Sequence, residues 1–231
     1  MCGIAGIVGE KASEAMMDKM LLSQKHRGPD FTGRYIDYDI ALGHNRLKII
    51  DLSENANQPF YSVDKRYVLV FNGEIYNYIE LRENLEKDFK FITSSDTEVL
   101  LFAFIKWGKG CLYKLNGMFA FAIWDTQEKK LFAARDRFGV KPFYYHIKDN
   151  NLYFASEIKA LHVTGIPETP NEKVWATYFA YGSYGNPDET FWEGIEQLPG
   201  GHHVTYDNNQ LTIKKSYLFE DEVAKQSKNL N

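Results

Sequence analysis

Apolar residues recur along this chain with two periods, and the period changes mark its elements. Alternating or unbroken apolar runs predict strands over residues 4–8, 34–40, 42–50, 67–71, 118–124, 130–134, 143–146 and 152–155. Helical spacing predicts a helix over 12–24, where Met16, Met17, Met20 and Leu21 share a face. A second helix is expected over 78–88, with Leu81 and Leu85 on one side, and a third over 96–107. The third opens with Ser95-x-x-Glu98, a pattern that predicts a capping box, and Gly108 and Gly110 close it. Shorter helical pieces are read at 157–162 and 172–181, and a hairpin joins 203–206 to 211–215. His202-His203 is expected on an exposed turn, and Gly28-Pro29 makes 26–30 a loop. There is no internal repeat. Closely spaced strands with two long helices fit an α+β fold of stacked antiparallel sheets, helices outside, better than a parallel βαβ sheet.

Composition narrows the class without naming a function. The 231 residues are 44% hydrophobic and 15% aromatic, enough to bury one large core. A net charge of −4 argues against nucleic acid or an anionic membrane as partner. The longest apolar run, Met118 to Trp124, is far short of the ~20 residues a membrane helix needs. Glu10 and Lys11 interrupt the first apolar run, so no secretory leader is expected. Cys2 and Cys111 make no disulfide framework, and Cys111 reads as ordinary packing, so a reducing, cytoplasmic setting is expected. No His/Cys/Asp cluster has metal spacing and no phosphate-binding glycine loop occurs, so neither metal nor cofactor is expected.

Four places carry candidate chemistry. Cys2 follows the initiator methionine, which aminopeptidases remove before a small residue. Cys2 would then hold a thiol and a free α-amine, whose pKa is about 7.7–8.0, on one Cα: a nucleophile with its own base. The alternative is an ordinary cysteine at the head of a buried strand; a myristoyl anchor fails because Gly is third, not second. Asn72-Gly73 is either a hairpin turn or, at a strand end, a side-chain amide and an unshielded backbone N–H forming an oxyanion hole. Arg46 is either an edge residue or a bidentate clamp on a carboxylate. Asp96 is either a helix-capping acid favoured by the helix dipole or an acceptor for a substrate ammonium.

Taken together, Met-Cys-Gly-Ile-Ala-Gly, His26-Arg27-Gly28-Pro29-Asp30, Arg46-Leu47-Lys48-Ile49-Ile50-Asp51, Asn72-Gly73-Glu74-Ile75-Tyr76-Asn77, Ser95-Asp96-Thr97-Glu98, Gly117 to Asp125, Arg135 to Pro142 and Ser156 to Leu161 resemble one family. That family is the glutaminase domain of glutamine-dependent asparagine synthetases, and the resemblance covers 2–217, leaving 218–231 as a polar tail or the start of a linker. The resemblance implies a class II glutamine amidotransferase with the four-layer αββα N-terminal-nucleophile hydrolase fold. It implies that Cys2 is the nucleophile and its α-amine the base, and that Asn72 and Gly73 hold the oxyanion. Arg46, with backbone help from Leu47, Ile49 and Ile50, would bind the glutamine α-carboxylate, and Glu74 and Asp96 the α-ammonium. Glutamine would be hydrolysed to glutamate and ammonia through a thioester, for ATP-dependent amidation of aspartate. Family members continue into a synthetase domain with a Ser-Gly-Gly-x-Asp-Ser loop, absent from these residues. ATP and Mg²⁺ are therefore expected only there, with a synthetase domain or subunit as partner and a homodimer in the full-length enzyme. Amidation of another carboxylate, or a non-catalytic interaction module should Met1 be retained, are the alternatives. The 135–142 segment is read either as a solvated turn or as an exposed, partly apolar patch for the synthetase partner.

Overall fold

The computed structural model describes residues 1–183, 185–217, 219 and 223. The segment read as a polar tail, 218–231, lies outside these apart from Phe219 and Val223. Two six-stranded sheets form among the described residues, and every pairing is antiparallel. The first holds β1 (Gly3–Val8), β2 (Phe31–Asp37), β3 (Ile40–Arg46), β8 (Tyr144–Lys148), β9 (Asn151–Ala155) and β10 (Glu196–Gln197), in the order β10-β8-β9-β1-β3-β2. The second holds β4 (Phe60–Tyr61), β5 (Tyr67–Ile75), β6 (Gly117–Asp125), β7 (Lys130–Arg135), β11 (His202–Asp207) and β12 (Gln210–Lys215), in the order β12-β11-β7-β6-β5-β4. No helix among the described residues is long and apolar enough to cross a membrane.

Three apolar clusters explain the layering. Met17, Met20 and Leu21 of α1 (Glu14–Ser23) and Leu161 of α4 (Lys159–His162) pack on Ala5, Ile7 and Ala41, the outer face of the first sheet. Leu81 and Leu85 of α2 (Tyr78–Leu85) and Val99 to Ala103 of α3 (Asp96–Trp107) pack on Leu69, Phe71 and Ile75, the outer face of the second. Ile4, Val8, Ile40, Leu42, Val68, Val70, Ala122 and Trp124 fill the space between the sheets. The result is the αββα order expected from the resemblance. Each of these large side chains, buried outright, contributes ~1.5–3 kcal/mol.

The period-two alternation has a consequence at one end of this sandwich. In β1, β3 and β5 the even-numbered residues face the other sheet: Ile4 and Val8, Ile40 and Leu42, Val68 and Val70. Counting onward by two reaches Cys2, His44, Arg46, Asn72 and Glu74. The rows that build the middle of the core thus turn polar at one end, and register brings them level, since Gly3 pairs with Asn45.

Three expectations are corrected and one open alternative is decided. β3 ends at Arg46 rather than residue 50, because the Leu47 N–H turns to Cys2 Sγ and the Lys48 N–H to Asp30 Oδ2 at 2.8 Å, leaving the ladder. Asn72-Gly73 is not a hairpin turn: both lie inside β5, opposite Ala120 and Phe119, and pairing continues to Ile75. Ser95 does cap α3, accepting from Thr97 N at 3.1 Å, but the box does not close. Glu98 instead accepts from Ile92 N, Thr93 N and Thr93 Oγ1, stitching down the preceding turn. His202 and His203 lie in β11, and His203 is buried beside Ser216. The two-residue strands β4 and β10 are too short to carry a periodic signal.

Candidate active site

A cleft of about 430 Å³ opens where the inter-sheet rows turn polar. Its lining includes every residue singled out from the sequence: Cys2, Arg46, Leu47, Ile49, Ile50, Asn72, Gly73, Glu74 and Asp96. It also includes Met1, Gln58 and Lys141, which were given no part in the site.

Cys2 enters from the head of the central strand β1. Its Sγ lies 3.4 Å from Leu47 N, which donates to it, and 3.7 Å from Leu47 O. Burial pushes its thiol pKa up; the Leu47 N–H, the N-terminal ammonium and the Arg46 guanidinium pull against that, while Asp96 adds to it. The thiol at rest is therefore reluctant to ionise and needs a base beside it. The Cys2 carbonyl accepts from Arg27 Nε at 2.9 Å, and Arg27 pairs in turn with Glu157 at 3.1 Å. That brace holds the strand head in place.

Arg46 is not the edge residue its strand position suggested: it is 5% exposed. Its Nη1 donates to Ser53 O at 2.7 Å and Asn57 Oδ1 at 2.8 Å, and its Nη2 donates to Asp51 O. All three acceptors are neutral, and no carboxylate among the described residues comes within 4.0 Å. The guanidinium is oriented but its charge is left for something else. Asp51 is occupied, accepting from Ser53 N and Ser94 N.

Asn72 supplies the sharpest observation. It is 1% exposed, and its Nδ2 has no hydrogen-bond partner among the described residues. A buried amide without a partner costs about 1–3 kcal/mol, so such a group in a cleft wall points to a ligand that completes it. Beside it, Gly73 has a structural reason to be glycine. A Cβ there would lie 2.3 Å from Met118 O and 2.7 Å from Phe119 Cα, forcing β5 and β6 apart. Behind both, buried His44 donates from Nε2 to Phe71 O at 3.0 Å, which ties the sheets together. Burial holds its pKa down at about 3, so it stays neutral.

Asp96 stands at the start of α3, 4% exposed. Its Oδ2 accepts from Ile75 N at 2.9 Å. Burial raises its carboxyl pKa to about 6, against the Ile75 N–H and Ser95 and with Glu74 adding to the rise. With Glu74 it forms an acidic wall in the same cleft as Arg46. The cleft therefore holds the buried Arg46 cation and these two acids in a single lining. Among the described residues no group of three or more His, Cys, Asp or Glu could hold a metal ion.

Neither Lys141 nor Gln58 was assigned a role in the site from the sequence. Gln58 spans the wall, accepting from Phe71 N at 2.6 Å and donating to Thr97 Oγ1 at 3.3 Å. Neither follows the alternation of a strand, so no periodic signal pointed to them.

Comparison with known proteins adds to this geometry. A family model described as a glutamine amidotransferase domain matches residues 1–218. The chain is 45% identical over 221 residues to asparagine synthetase [glutamine-hydrolyzing] 1 of Bacillus subtilis, covering 93% of this chain and 35% of that protein. It is 36% identical over 230 residues to asparagine synthetase [glutamine-hydrolyzing] 3 of the same organism, covering 96% of this chain and 37% of the other. The chain thus spans less than half the length of these relatives. Among solved structures, glutamine phosphoribosylpyrophosphate amidotransferase from B. subtilis superposes with a TM-score of 0.72 at 21% identity, over 94% of this chain and 50% of the other. That likeness is one of fold.

Proposed function

This chain belongs to the glutamine amidotransferase domain family, and we propose that its cleft hydrolyses the side-chain amide of glutamine to glutamate and ammonia. The observation that carries the reading is the unpartnered Nδ2 of Asn72 in the same cleft as the Cys2 thiol. In this reading Met1 is removed, which frees the α-amine of Cys2 and clears the cleft that Met1 lines. The thiol passes its proton to that amine and Sγ attacks the amide carbon. The oxygen becomes an oxyanion, met by Asn72 Nδ2 and the Gly73 N–H. The protonated amine then hands its proton to the departing ammonia, and water cleaves the thioester. Arg46, Leu47, Ile49 and Ile50 receive the α-carboxylate; Glu74 and Asp96 receive the α-ammonium.

The resemblance and the relatives' names support a further step, in which the ammonia serves ATP-dependent synthesis of asparagine from aspartate. ATP and Mg²⁺ belong to a synthetase portion supplied as a domain or subunit, with the assembled enzyme dimeric and cytoplasmic. The domain itself takes residues 2–217.

The test is a glutaminase assay on N-terminally processed protein. Cys2→Ala abolishes ammonia release while glutamine still binds. Asn72→Ala lowers kcat by ~10²–10³ with KM little changed, because the oxyanion exists only after attack. Ammonia release by Cys2→Ala would remove the nucleophile assignment.

A further inference from the structure

Lys141 is a buried cation of the cleft that the proposed reaction leaves without a part. It is 3% exposed and lines the cleft next to Val140. Its Nζ lies 3.0 Å from Met1 Sδ, and no carboxylate among the described residues comes within 4.0 Å of it. A buried ammonium is costly unless its charge is compensated. A thioether is a weak acceptor, and this one leaves with Met1.

The surrounding charges narrow what Lys141 can act on. Burial lowers its pKa and Arg27 adds to that, while Glu74, Asp136 and Cys2 hold the ammonium against it. Asp136 is saturated, accepting from the N–H groups of Phe119, Phe138, Val140 and Lys141 itself. Glu74, in the reaction above, faces the substrate ammonium. Arg27, itself a cation, gives its Nη1 to Glu157 and its Nε to the Cys2 carbonyl. Of the groups whose charge acts on Lys141, what remains is Cys2, which lines the same cleft and directly follows the Met1 that Lys141 touches.

We propose that Lys141 is a positioning residue whose fixed ammonium keeps the Cys2 α-amine unprotonated at neutral pH and favours the Cys2 thiolate. The proposal rests on the assignment of Cys2 and its amine made above. A second cation in a desolvated wall disfavours protonation of the amine and stabilises a nearby thiolate. Lys141 takes no proton in the reaction. The proton leaves Sγ for the α-amine, Sγ bonds to the amide carbon, and the same proton departs with ammonia when the C–N bond breaks. Arg46 from β3 and Arg27 act in the same sense. Asp96 from α3 and Glu74 from β5 oppose them, and Asp51 is held by Ser53 and Ser94.

The experiment is the pH profile of kcat/KM for processed wild type, Lys141→Met and Lys141→Arg, with thermal midpoints alongside. Lys141→Met moves the acid limb up by about one pH unit, and Lys141→Arg leaves it in place. An unmoved limb in Lys141→Met, or an equal displacement in Lys141→Arg, overturns the proposal. A second measurement needs no variant and no turnover: the Cys2 α-amine of ¹⁵N-cysteine-labelled, processed wild type is titrated by NMR. It titrates below the usual range of about 7.7–8.0, and a value within or above that range overturns the proposal even if Lys141→Met does not fold. Absence of glutamine turnover at every pH would remove the proposed function, while the titration would still judge Lys141.

Discussion

Asp96 shows how much one residue's surroundings decide. A carboxyl in a first helical turn is ordinarily a stabilising cap. Here burial raises its pKa to about 6, so it is half protonated near that pH until a cation arrives. Binding of an α-ammonium needs the carboxylate, so KM for glutamine should rise as pH falls through about 6. In Asp96→Asn the KM should be high at every pH and lose that inflection; a flat wild-type KM between pH 5 and 8 would remove Asp96 from the site. Stability should respond in the opposite sense. Between 3.8 and about 6 the folded state holds a proton that the unfolded chain has released, so stability is greatest at the acid side and declines as pH rises through this window. The contribution is on the order of 2–3 kcal/mol, visible as a flatter urea midpoint against pH in Asp96→Asn.

Among elements, the loop between β7 and β8 has the most to do. Asp136 gathers four backbone N–H groups onto one buried carboxylate, and its own carbonyl accepts from Gly139 N and Gly201 N. Arg135 ties the same loop from the side, donating to the carbonyls of Gly139, Lys141 and Leu198. The loop is not a solvated turn: Phe138 and Val140 are exposed and make its outer side partly apolar, while Asp136 and Lys141 are buried. Asp136→Asn presents an amide donor to N–H groups and forfeits about two of these bonds, a cost of ~2–4 kcal/mol. The thermal midpoint should fall by about 4 °C or more, and a smaller change would show that the backbone holds the loop unaided.

At the scale of the molecule, the outward face of that loop is the place to look for a partner. Phe138 is 71% exposed and Val140 58%, and Tyr217 packs edge-on to Phe138 with Arg137 over its ring. This is the partly apolar surface that the resemblance led us to expect, and we propose that a synthetase portion covers it. The isolated chain should release ammonia from glutamine yet form no asparagine from aspartate and ATP. Phe138→Asp should keep glutaminase activity and thermal midpoint but bind a separately supplied synthetase portion of a relative more weakly than wild type. Loss of the fold in Phe138→Asp would instead make Phe138 part of the core. Most of the elements were legible beforehand because their periods are local. The 96–107 and 172–181 helices run over the residues expected of them, whereas the strands read over 4–8 and 67–71 stopped short of Cys2, Asn72 and Glu74, which only the structure shows to continue the rows of core residues. The resemblance named the same residues as a set, from motif order rather than from contacts. What the amino-acid order could not decide were choices that depend on distant neighbours. Asn72-Gly73 has the same local preference for a turn in any protein; nine residues of β6 keep it extended instead. Arg46 became a buried, oriented cation only because Ser53, Asn57 and Asp51 curl back around it. Lys141 reached the cleft because its loop is pinned across the molecule, 140 positions from the Met1 it touches. Periodicity reports which face a side chain takes on its own element; whether a charge on that face is buried, and against what, is set by packing between elements far apart in the chain.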